Sequence, residues 1–212
     1  VQVDTEDGGT TWIGFEVPNP TIGVRANEDR VSGWRWPLGA TVNITIDDPS
    51  TPAVPDISRN SIVEEINPGE ISFNLQLHGE FDIQPGFLVT ASSGGVTKTL
   101  LVTPLEITDI DTDLDLVNGI AEAGSIVDVW ACADFSCTRR HITADGSGVW
   151  LADFAHFGDN GDEQNTLNIV LGTWVDSVQM EDDGDQTMFG QNVPNPVFSV
   201  HQDEDWLEGY DW

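Results

Sequence analysis

The chain has 212 residues, which fits one or two domains, and 39% of them are hydrophobic, including eight Trp and nine Phe. Seven Lys and Arg against 37 Asp and Glu give a formal net charge of −30. This balance excludes nucleic acid as a partner, because no basic stripe is present to replace phosphate counterions. No apolar run of about 18 residues occurs, so membrane insertion is not expected either.

Periodic apolar residues exclude disorder, and they alternate in the pattern of β-strands rather than helices. The segment SIVEEI (61–66) could form at most one helical turn, and the Pro-rich stretch 47–60 is expected to be an exposed loop. Short strands at this spacing predict an all-β fold of tandem immunoglobulin-like β-sandwich domains in an elongated arrangement. The predicted strands, in chain order, are TWIGFEV, TIGVRA, RVSGWRW, ATVNITI, EISFNLQLH, GFLVTAS, VTKTLLVT, DLVNGIA, SIVDVWAC, TRRHITA, GVWLADFA, NTLNIVLG, TWVDSVQM, QTMFGQNV and VFSVHQ.

A twenty-residue segment occurs twice in the chain. Residues 17–36 and 193–212 are identical at nine positions with an offset of 176, and most of the mismatches keep their chemical character. The chain therefore reads as one period of about 176 residues followed by the first part of the next. The predicted units are 1–16, a β-hairpin ending a preceding repeat, then sandwich domains at 17–107 and 108–192, then 193–212, strands that begin another repeat.

Strands that lack their sheet neighbours recruit partners, so the second copy is expected to contact other copies of this chain. Two arrangements fit: a longer tandem array, or a subunit whose ends pair head-to-tail by strand addition, as in donor-strand fibres. The residues expected to make this contact are Val193, Pro194, Asn195, Pro196, Trp206, Tyr210 and Trp212.

The two cysteines, Cys132 and Cys137, lie at the facing ends of two predicted strands joined by a short turn. This placement predicts a disulfide across a hairpin, with two buried free thiols as the alternative. A disulfide indicates an oxidising setting, outside the cell or on its surface. The N-terminal sequence VQVDTEDGG is interpreted as a mature or trimmed start, from which any secretion signal would have been removed.

Residues 117–154 resemble the bacterial immunoglobulin-like (Big-type) repeats of large surface and secreted proteins. The matching pattern is V-x-G-x-A-x-x-G-S-x-V-x-V followed by T-A-D-x-x-G-x-W, with Ala123 in place of the usual Pro. In this segment AEAGS is expected to be a turn and ADGSG a tight hairpin turn. The resemblance implies β-sandwich spacers or adhesive modules of the cell exterior. The matching residues are Val117, Gly119, Ala121, Gly124, Ser125, Val127, Val129, Thr143, Ala144, Asp145, Gly148 and Trp150.

Two acidic clusters suggest calcium as a cofactor, since hard cations prefer carboxylate oxygens. In an extended chain, the alternate aspartates of DIDTDLD would all face one way at the boundary between the sandwiches. The second cluster, QMEDDGDQ, fails the spacing of an EF-hand. A solvated acidic face, an acidic hairpin turn and a salt-adapted organism remain as alternatives. The candidate metal ligands are Asp109, Asp111, Asp113, Asp115, Asp182, Asp183 and Asp185.

No catalytic constellation stands out, because the four histidines are scattered and no nucleophile motif is present, so an enzyme is not expected. Trp34, Trp36, Trp206, Tyr210 and Trp212 form an aromatic row in each copy of the repeat, which fits either packing or stacking on sugar rings. The favoured function is an extracellular structural protein, a repeating subunit of a surface filament or tandem array. The alternative is an adhesin or carbohydrate-binding module that recognises surface glycans, and a weaker one is an accessory region of a secreted hydrolase.

Overall fold

The structure, a computed structural model, describes residues 2–4, 10–12, 19–133 and 136–210, the first two ranges by their backbone only. The described residues fold almost entirely into β-strands, with short 3-10 turns at Ala26–Glu28 and Gly161–Glu163, which confirms the all-β prediction. The predicted strand TWIGFEV lies largely outside these residues, and Trp212 lies outside them altogether.

The strands fall into four groups along the chain. The first is an N-terminal hairpin of β1 (Gln2–Asp4) and β2 (Thr10–Trp12). The first sandwich contains β3 (Thr21–Arg25), β4 (Arg30–Trp34), β5 (Thr41–Asp47), β6 (Ile57–Ile62), β7 (Glu64–Asn67), β8 (Glu70–Gln76), β9 (Leu88–Ser93) and β10 (Val96–Leu101). The second contains β11 (Glu106–Asp111), β12 (Leu116–Ile120), β13 (Ile126–Ala133), β14 (Ser136–Thr143), β15 (Val149–Asp153), β16 (Trp174–Met180) and β17 (Gln186–Asn192). A C-terminal hairpin follows, made of β18 (Val197–His201) and β19 (Trp206–Tyr210).

The two sandwiches share one sheet. Its order is β14-β13-β16-β17-β3-β4-β8-β7, and it runs through both sandwiches without a break. The sheet β10-β9-β5-β6 covers the part of it that belongs to the first sandwich, and β11-β12-β15 covers the part that belongs to the second. The pair β17–β3 is parallel, whereas the pairs within each sandwich are antiparallel. The sandwiches therefore lie side by side, joined through their strands.

Each sandwich has its own apolar core, built by the alternation of inward and outward side chains. Leu105, Ile107 and Val193 pack in the second core. The core of the second sandwich thus includes apolar residues on both sides of the predicted boundaries at 107/108 and 192/193.

Large aromatic rings lie over glycines on neighbouring strands. The ring of Trp150 covers Gly119 and that of Phe73 covers Gly33, so closely that a Cβ added at either glycine would lie within about 2 Å of the ring. Trp150 is 1% exposed. These glycines are needed because the rings fill the space that their side chains would occupy.

Three segments differ from the sequence-based prediction. Residues 57–62 and 64–67 are strands, not a loop and a helical turn, because β6 pairs with β5 and β7 with β8. The segment NTLNIVLG, predicted to be a strand, has no regular secondary structure. It is held by the packing of Leu167 and Ile169 in the core and not by hydrogen bonds to a neighbouring strand of a sheet. The turn at 145–148 joins strands of different sheets, so it is a crossover and not a hairpin turn.

The predicted disulfide between Cys132 and Cys137 is confirmed, and it bridges partner residues of the β13–β14 hairpin. The two cysteines are five positions apart in sequence, so the bridge closes a very short loop. A short loop restricts the unfolded chain only modestly.

We expect that replacing both cysteines by serine will lower the free energy of unfolding by no more than about 2 kcal/mol, the value for a loop of this size. Urea unfolding of the oxidised parent and the Cys132→Ser/Cys137→Ser variant measures this difference. A loss of more than twice that value would show that the disulfide stabilises more than the β13–β14 hairpin that it closes.

Candidate functional site

The joint between the sandwiches begins with a short backbone contact. In the parallel pair β17–β3, Gln186, Thr187 and Met188 lie beside Gly23, Val24 and Arg25. Three residue pairs alone would hold two domains weakly. The side chains around this pair therefore decide how firmly the sandwiches are joined.

Arg25 crosses the joint from β3. Its guanidinium donates to both carboxylate oxygens of Asp176 on β16, at 2.7 and 2.6 Å, and lies 5.8 Å from the ring centre of Trp174. Arg25 is only 7% exposed, so this bidentate pair is shielded from water. A Cβ at Gly190 would lie 2.3 Å from the Trp174 ring and 2.5 Å from the guanidinium, so a side chain there would displace these two groups. The neighbouring Asn27 side chain also donates to the Gly190 carbonyl, at 2.8 Å.

Lys98, the only lysine of the chain, crosses the joint from β10. Its ammonium lies 2.5 Å from Asp183 Oδ2 and 3.3 Å from Asp185 Oδ2, in the turn between β16 and β17. Asp185 is fully buried, and its Oδ1 accepts the backbone N–H of Ile22 at 2.9 Å. The cluster therefore ties both sheets of the first sandwich to one turn of the second.

The three ionisable groups affect one another. The Lys98 hydrogen bond lowers the pKa of Asp183, whereas burial raises the pKa of Asp185 against the opposing pull of Ile22 N–H and Lys98. Burial alone would lower the pKa of Lys98, but the two carboxylates outweigh it and the pKa is raised. Since the Asp183 pKa lies below its ordinary value, its stabilising contribution is present above that value and is lost as the pH falls through the folded pKa.

The acidic cluster predicted at 182–185 is thus occupied by a cation from the chain itself. Asp183 and Asp185 pair with Lys98, and Asp182 is exposed. The sequence analysis missed Lys98 because its partners are more than 80 residues away. The available signal was compositional: a lone lysine among 37 carboxylates.

The run DIDTDLD does not form the expected extended row, because the chain turns at 112–115. Asp111 Oδ1 accepts the N–H groups of Asp113 and Leu114, at 2.9 and 3.0 Å. Asp115 has a left-handed φ of 55° and accepts the Ile169 N–H at 2.7 Å.

The first aspartate of this run, Asp109, accepts a hydrogen bond from the Asn118 side-chain amide at 3.5 Å. Among the described residues, no three His, Cys, Asp or Glu side chains converge to hold a metal ion. Calcium therefore stays a prediction without an assigned site.

The C-terminal hairpin repeats the geometry of β3–β4. His201 pairs with Trp206 just as Arg25 pairs with Arg30, at the offset of 176, and both turns place an aspartate at positive φ, 50° at Asp29 and 56° at Asp205. The repeat found in the sequence is therefore a repeat of structure.

The two hairpins differ in burial. Three apolar residues of β3–β4 are fully buried in the first core, whereas their counterparts in β18–β19 are between 54% and 70% exposed. The C-terminal hairpin thus carries a core face without the core. The corresponding pairs are Ile22 and Phe198, Val24 and Val200, and Val31 and Leu207.

The predicted contact residues divide into two groups. Val193 closes the second core, and its backbone exchanges hydrogen bonds with Gly172 and Thr173. Pro194, Asn195 and Pro196 are exposed and connect β17 to β18. On the C-terminal hairpin, the Trp206 ring stacks on His201 at 3.8 Å and Tyr210 is exposed. Val193 is therefore part of the second sandwich, whereas the other predicted contact residues that the structure describes lie on the C-terminal hairpin or on the segment that leads to it.

The aromatic row of the first copy is used for packing. Trp36 is 2% exposed, donates from its indole N–H to the Thr21 carbonyl at 3.0 Å and lies edge-on to Phe73. Trp34 is half-buried over Gly23. This arrangement does not leave Trp34 and Trp36 as a platform for sugar rings.

The comparisons with known proteins found no matching family model and no matching curated protein. Among solved structures, the chain is similar to a tetra-tandem repeat from the extending region of a large adhesion protein, with 14% identity and a TM-score of 0.31, over 87% of this chain and 52% of that one. It is also similar to a Ca2+-stabilised adhesin of an Antarctic bacterium, with 14% identity and a TM-score of 0.26, over 96% of this chain and 59% of that one.

A third similar structure is that of a 1.5-MDa bacterial ice-binding adhesin, with 16% identity and a TM-score of 0.26, over 91% of this chain and 71% of that one. The chain thus spans little more than half the length of the first two structures. Similarity at this level does not assign a function, and the contacts described above carry the conclusions that follow.

Proposed function

We propose that this chain is a repeating β-sandwich unit of an extracellular structural protein, joined to further units in a tandem array or surface filament. The observation that carries this proposal is the C-terminal hairpin. Residues 197–210 repeat the hairpin that opens the first sandwich, and they expose the face that is buried there. A second opening hairpin indicates that another unit of the same kind belongs beside it.

The joint supports a mechanical role. A continuous sheet, the buried Arg25–Asp176 pair and the Lys98 cluster fix the two sandwiches relative to each other. Domains joined by a small polar interface move relative to each other by default. Here a shared sheet crosses the joint, and its buried ion pairs would have to break before the sandwiches could separate. A fixed joint transmits force along an array instead of absorbing it by bending.

The disulfide supports a location outside the cell, since such bridges persist in oxidising compartments. In the described part of the chain, no helix has the length and apolar character needed to cross a membrane. The resemblance of 117–154 to bacterial immunoglobulin-like repeats supports a place for the second sandwich among surface proteins of this kind. We propose this assignment on the residues, with Trp150 over Gly119 as its structural counterpart.

Recognition of surface glycans, as in a carbohydrate-binding module, would need an exposed aromatic row. In the first copy Trp36 is buried, and Trp34 is half-buried. Packing therefore accounts for Trp34 and Trp36 better than glycan binding does.

Electron microscopy of the native protein, released from its source without denaturant, tests the proposal. We expect rods or fibres whose density repeats at the length of one pair of sandwiches. Isolated particles without a repeat would contradict it.

Calcium would add stiffness to this array if carboxylates of neighbouring loops shared an ion. A melting curve in EDTA and one in CaCl2, at equal ionic strength, check this prediction. A higher melting temperature in calcium that persists at high salt, where general screening of the acidic surface is complete, would support a specific site. Identical curves would remove calcium from the proposal.

A further inference from the structure

The N-terminal and C-terminal hairpins correspond to the two halves of the joint. β18–β19 corresponds to β3–β4 at an offset of 176, and β1–β2 corresponds to β16–β17 at the same offset. Asp4 pairs with Thr10 and Met180 pairs with Gln186, so each hairpin has five residues between its innermost partners. The chain thus contains each half of the joint twice.

One pair of halves is already joined. The outer edge of β17 pairs with β3 in parallel, which places β16-β17-β3-β4 side by side in the centre of the long sheet. Among the described residues, the other two halves form separate two-stranded sheets, β1-β2 and β18-β19. The edge of β2 that corresponds to the joined edge of β17, and the edge of β18 that corresponds to the joined edge of β3, pair with no described strand. Open edges of this kind present backbone donors and acceptors to a partner.

The face of β18–β19 shows independently that this hairpin, like β3–β4, belongs in a larger assembly. Phe198, Val200 and Leu207 are 68%, 54% and 70% exposed, whereas the residues at the same positions in β3–β4 are fully buried. An exposed face of large apolar side chains beside an open strand edge is typical of an interaction surface.

Resting on the proposed function as a repeating unit, we propose that β2 of one copy pairs in parallel with β18 of a second copy, which rebuilds the joint between molecules. The register follows from the joined pair, in which Gln186, Thr187 and Met188 lie beside Gly23, Val24 and Arg25. Subtracting 176 from the first set and adding it to the second gives the intermolecular partners: Thr10 with Ser199, Thr11 with Val200, and Trp12 with His201.

The contact is heterologous, because one copy contributes its N-terminal hairpin and the other its C-terminal hairpin. An open assembly therefore keeps one free N-terminal hairpin at one end and one free C-terminal hairpin at the other. Repetition of a heterologous contact produces open fibres, or rings when the rotation closes. The same strand pairing that joins sandwiches within a chain would thus join chains end to end.

Cysteine cross-linking of the whole chain tests the register. Partner residues on neighbouring strands lie about 5 Å apart, within the range that a disulfide spans. We expect the single variants Thr11→Cys and Val200→Cys, mixed in equal amounts and oxidised, to form a mixed disulfide dimer. Since each variant carries one new cysteine, the link can form only between molecules. The native disulfide already holds Cys132 and Cys137.

The matched control mixes Thr11→Cys with Val197→Cys, which moves the second cysteine three residues along β18, about 10 Å out of register. We expect at least ten times more mixed dimer from the first mixture on a non-reducing gel, with differently tagged chains to identify it. Unchanged melting curves show that the variants fold. Equal yields from both mixtures, or no mixed dimer in either, overturn this pairing, whereas the repeating-unit proposal stands or falls by the microscopy.

Discussion

Replacing Lys98 by methionine is expected to lower the free energy of unfolding by about 3–5 kcal/mol, because it leaves a buried carboxylate without its cation. The side chains of Lys98 and Asp185 are 9% and 1% exposed, so water cannot reach the Asp185 carboxylate to solvate it once the ammonium is gone. Methionine preserves most of the apolar stem of the lysine, which limits the loss to the charge. Urea unfolding at low ionic strength measures the difference.

Two further variants separate the charge from other effects. Lys98→Met combined with Asp185→Asn should recover most of the lost stability, because the asparagine oxygen still accepts the Ile22 N–H without carrying a charge. Arg59→Met, which removes the half-exposed Arg59–Glu80 pair, should cost less than about 1 kcal/mol. A Lys98→Met loss no larger than that of Arg59→Met would show that the cluster does not hold the joint.

The pH dependence of the Lys98→Met deficit gives a second measurement. Burial raises the pKa of Asp185 above its ordinary 3.8, and removal of Lys98 raises it further. A carboxyl group with a raised folded pKa takes up its proton in the folded state first, so stability increases as the pH falls through that pKa. The deficit of the variant should therefore shrink between neutral pH and about pH 4, and a constant deficit would contradict the assigned cause.

The features of this fold that could be predicted from the sequence are those that depend on residues close together in the chain. Strands such as β5 and β13 were evident from local alternation, and the Cys132–Cys137 bridge from local spacing. The duplicated hairpin was evident as well, because a repeat needs no knowledge of contacts. The strands β6 and β7 were missed, since they are polar on their exposed sides and are fixed by neighbours in the sheet.

The joint could not be predicted for the same reason. Arg25 and Asp176 are separated by 151 residues, and Lys98 and Asp183 by 85. Nothing local marks a carboxylate as the partner of a distant cation, so an acidic turn reads as a metal site. In a chain with so few basic residues, the positions of the buried ones are informative: Arg25 and Lys98 lie at the joint, and Arg140 lies on β14 against the long connection between β15 and β16. Cations of the chain itself hold the irregular parts of the fold together.

The second large effect is expected at Arg140, which organises the connection between β15 and β16. The side chain is 2% exposed, and its guanidinium donates only to backbone carbonyls in the described contacts. Those carbonyls belong to Arg139, Asp153, His156, Glu163 and Asn165. The guanidinium also lies 5.1 Å from the ring centre of Phe154. A planar group with five donors can satisfy several converging carbonyls at once, which a lysine cannot do.

Arg140→Met should therefore lower the free energy of unfolding by about 3 kcal/mol or more, since it removes the donors from several buried carbonyls together. The connection should also open locally, because the guanidinium ties the carbonyls of His156, Glu163 and Asn165 in its irregular backbone to strand β14. Urea unfolding measures the global loss, and limited proteolysis measures how quickly residues 154–173 are cleaved.

The neighbouring arginine provides the matched control. Arg139 points to the other side of β14, where it pairs with Asp128 and Asp162 and is about one-quarter exposed. Arg139→Met should cost about 1 kcal/mol or less and leave the cleavage rate of 154–173 near that of the parent. If the two variants lost equal stability and were cleaved equally fast, the carbonyl contacts of Arg140 would not be what holds this connection. If only Arg140→Met were cleaved faster, the hydrogen bonds from the buried guanidinium to the backbone carbonyls would be what holds this connection in place.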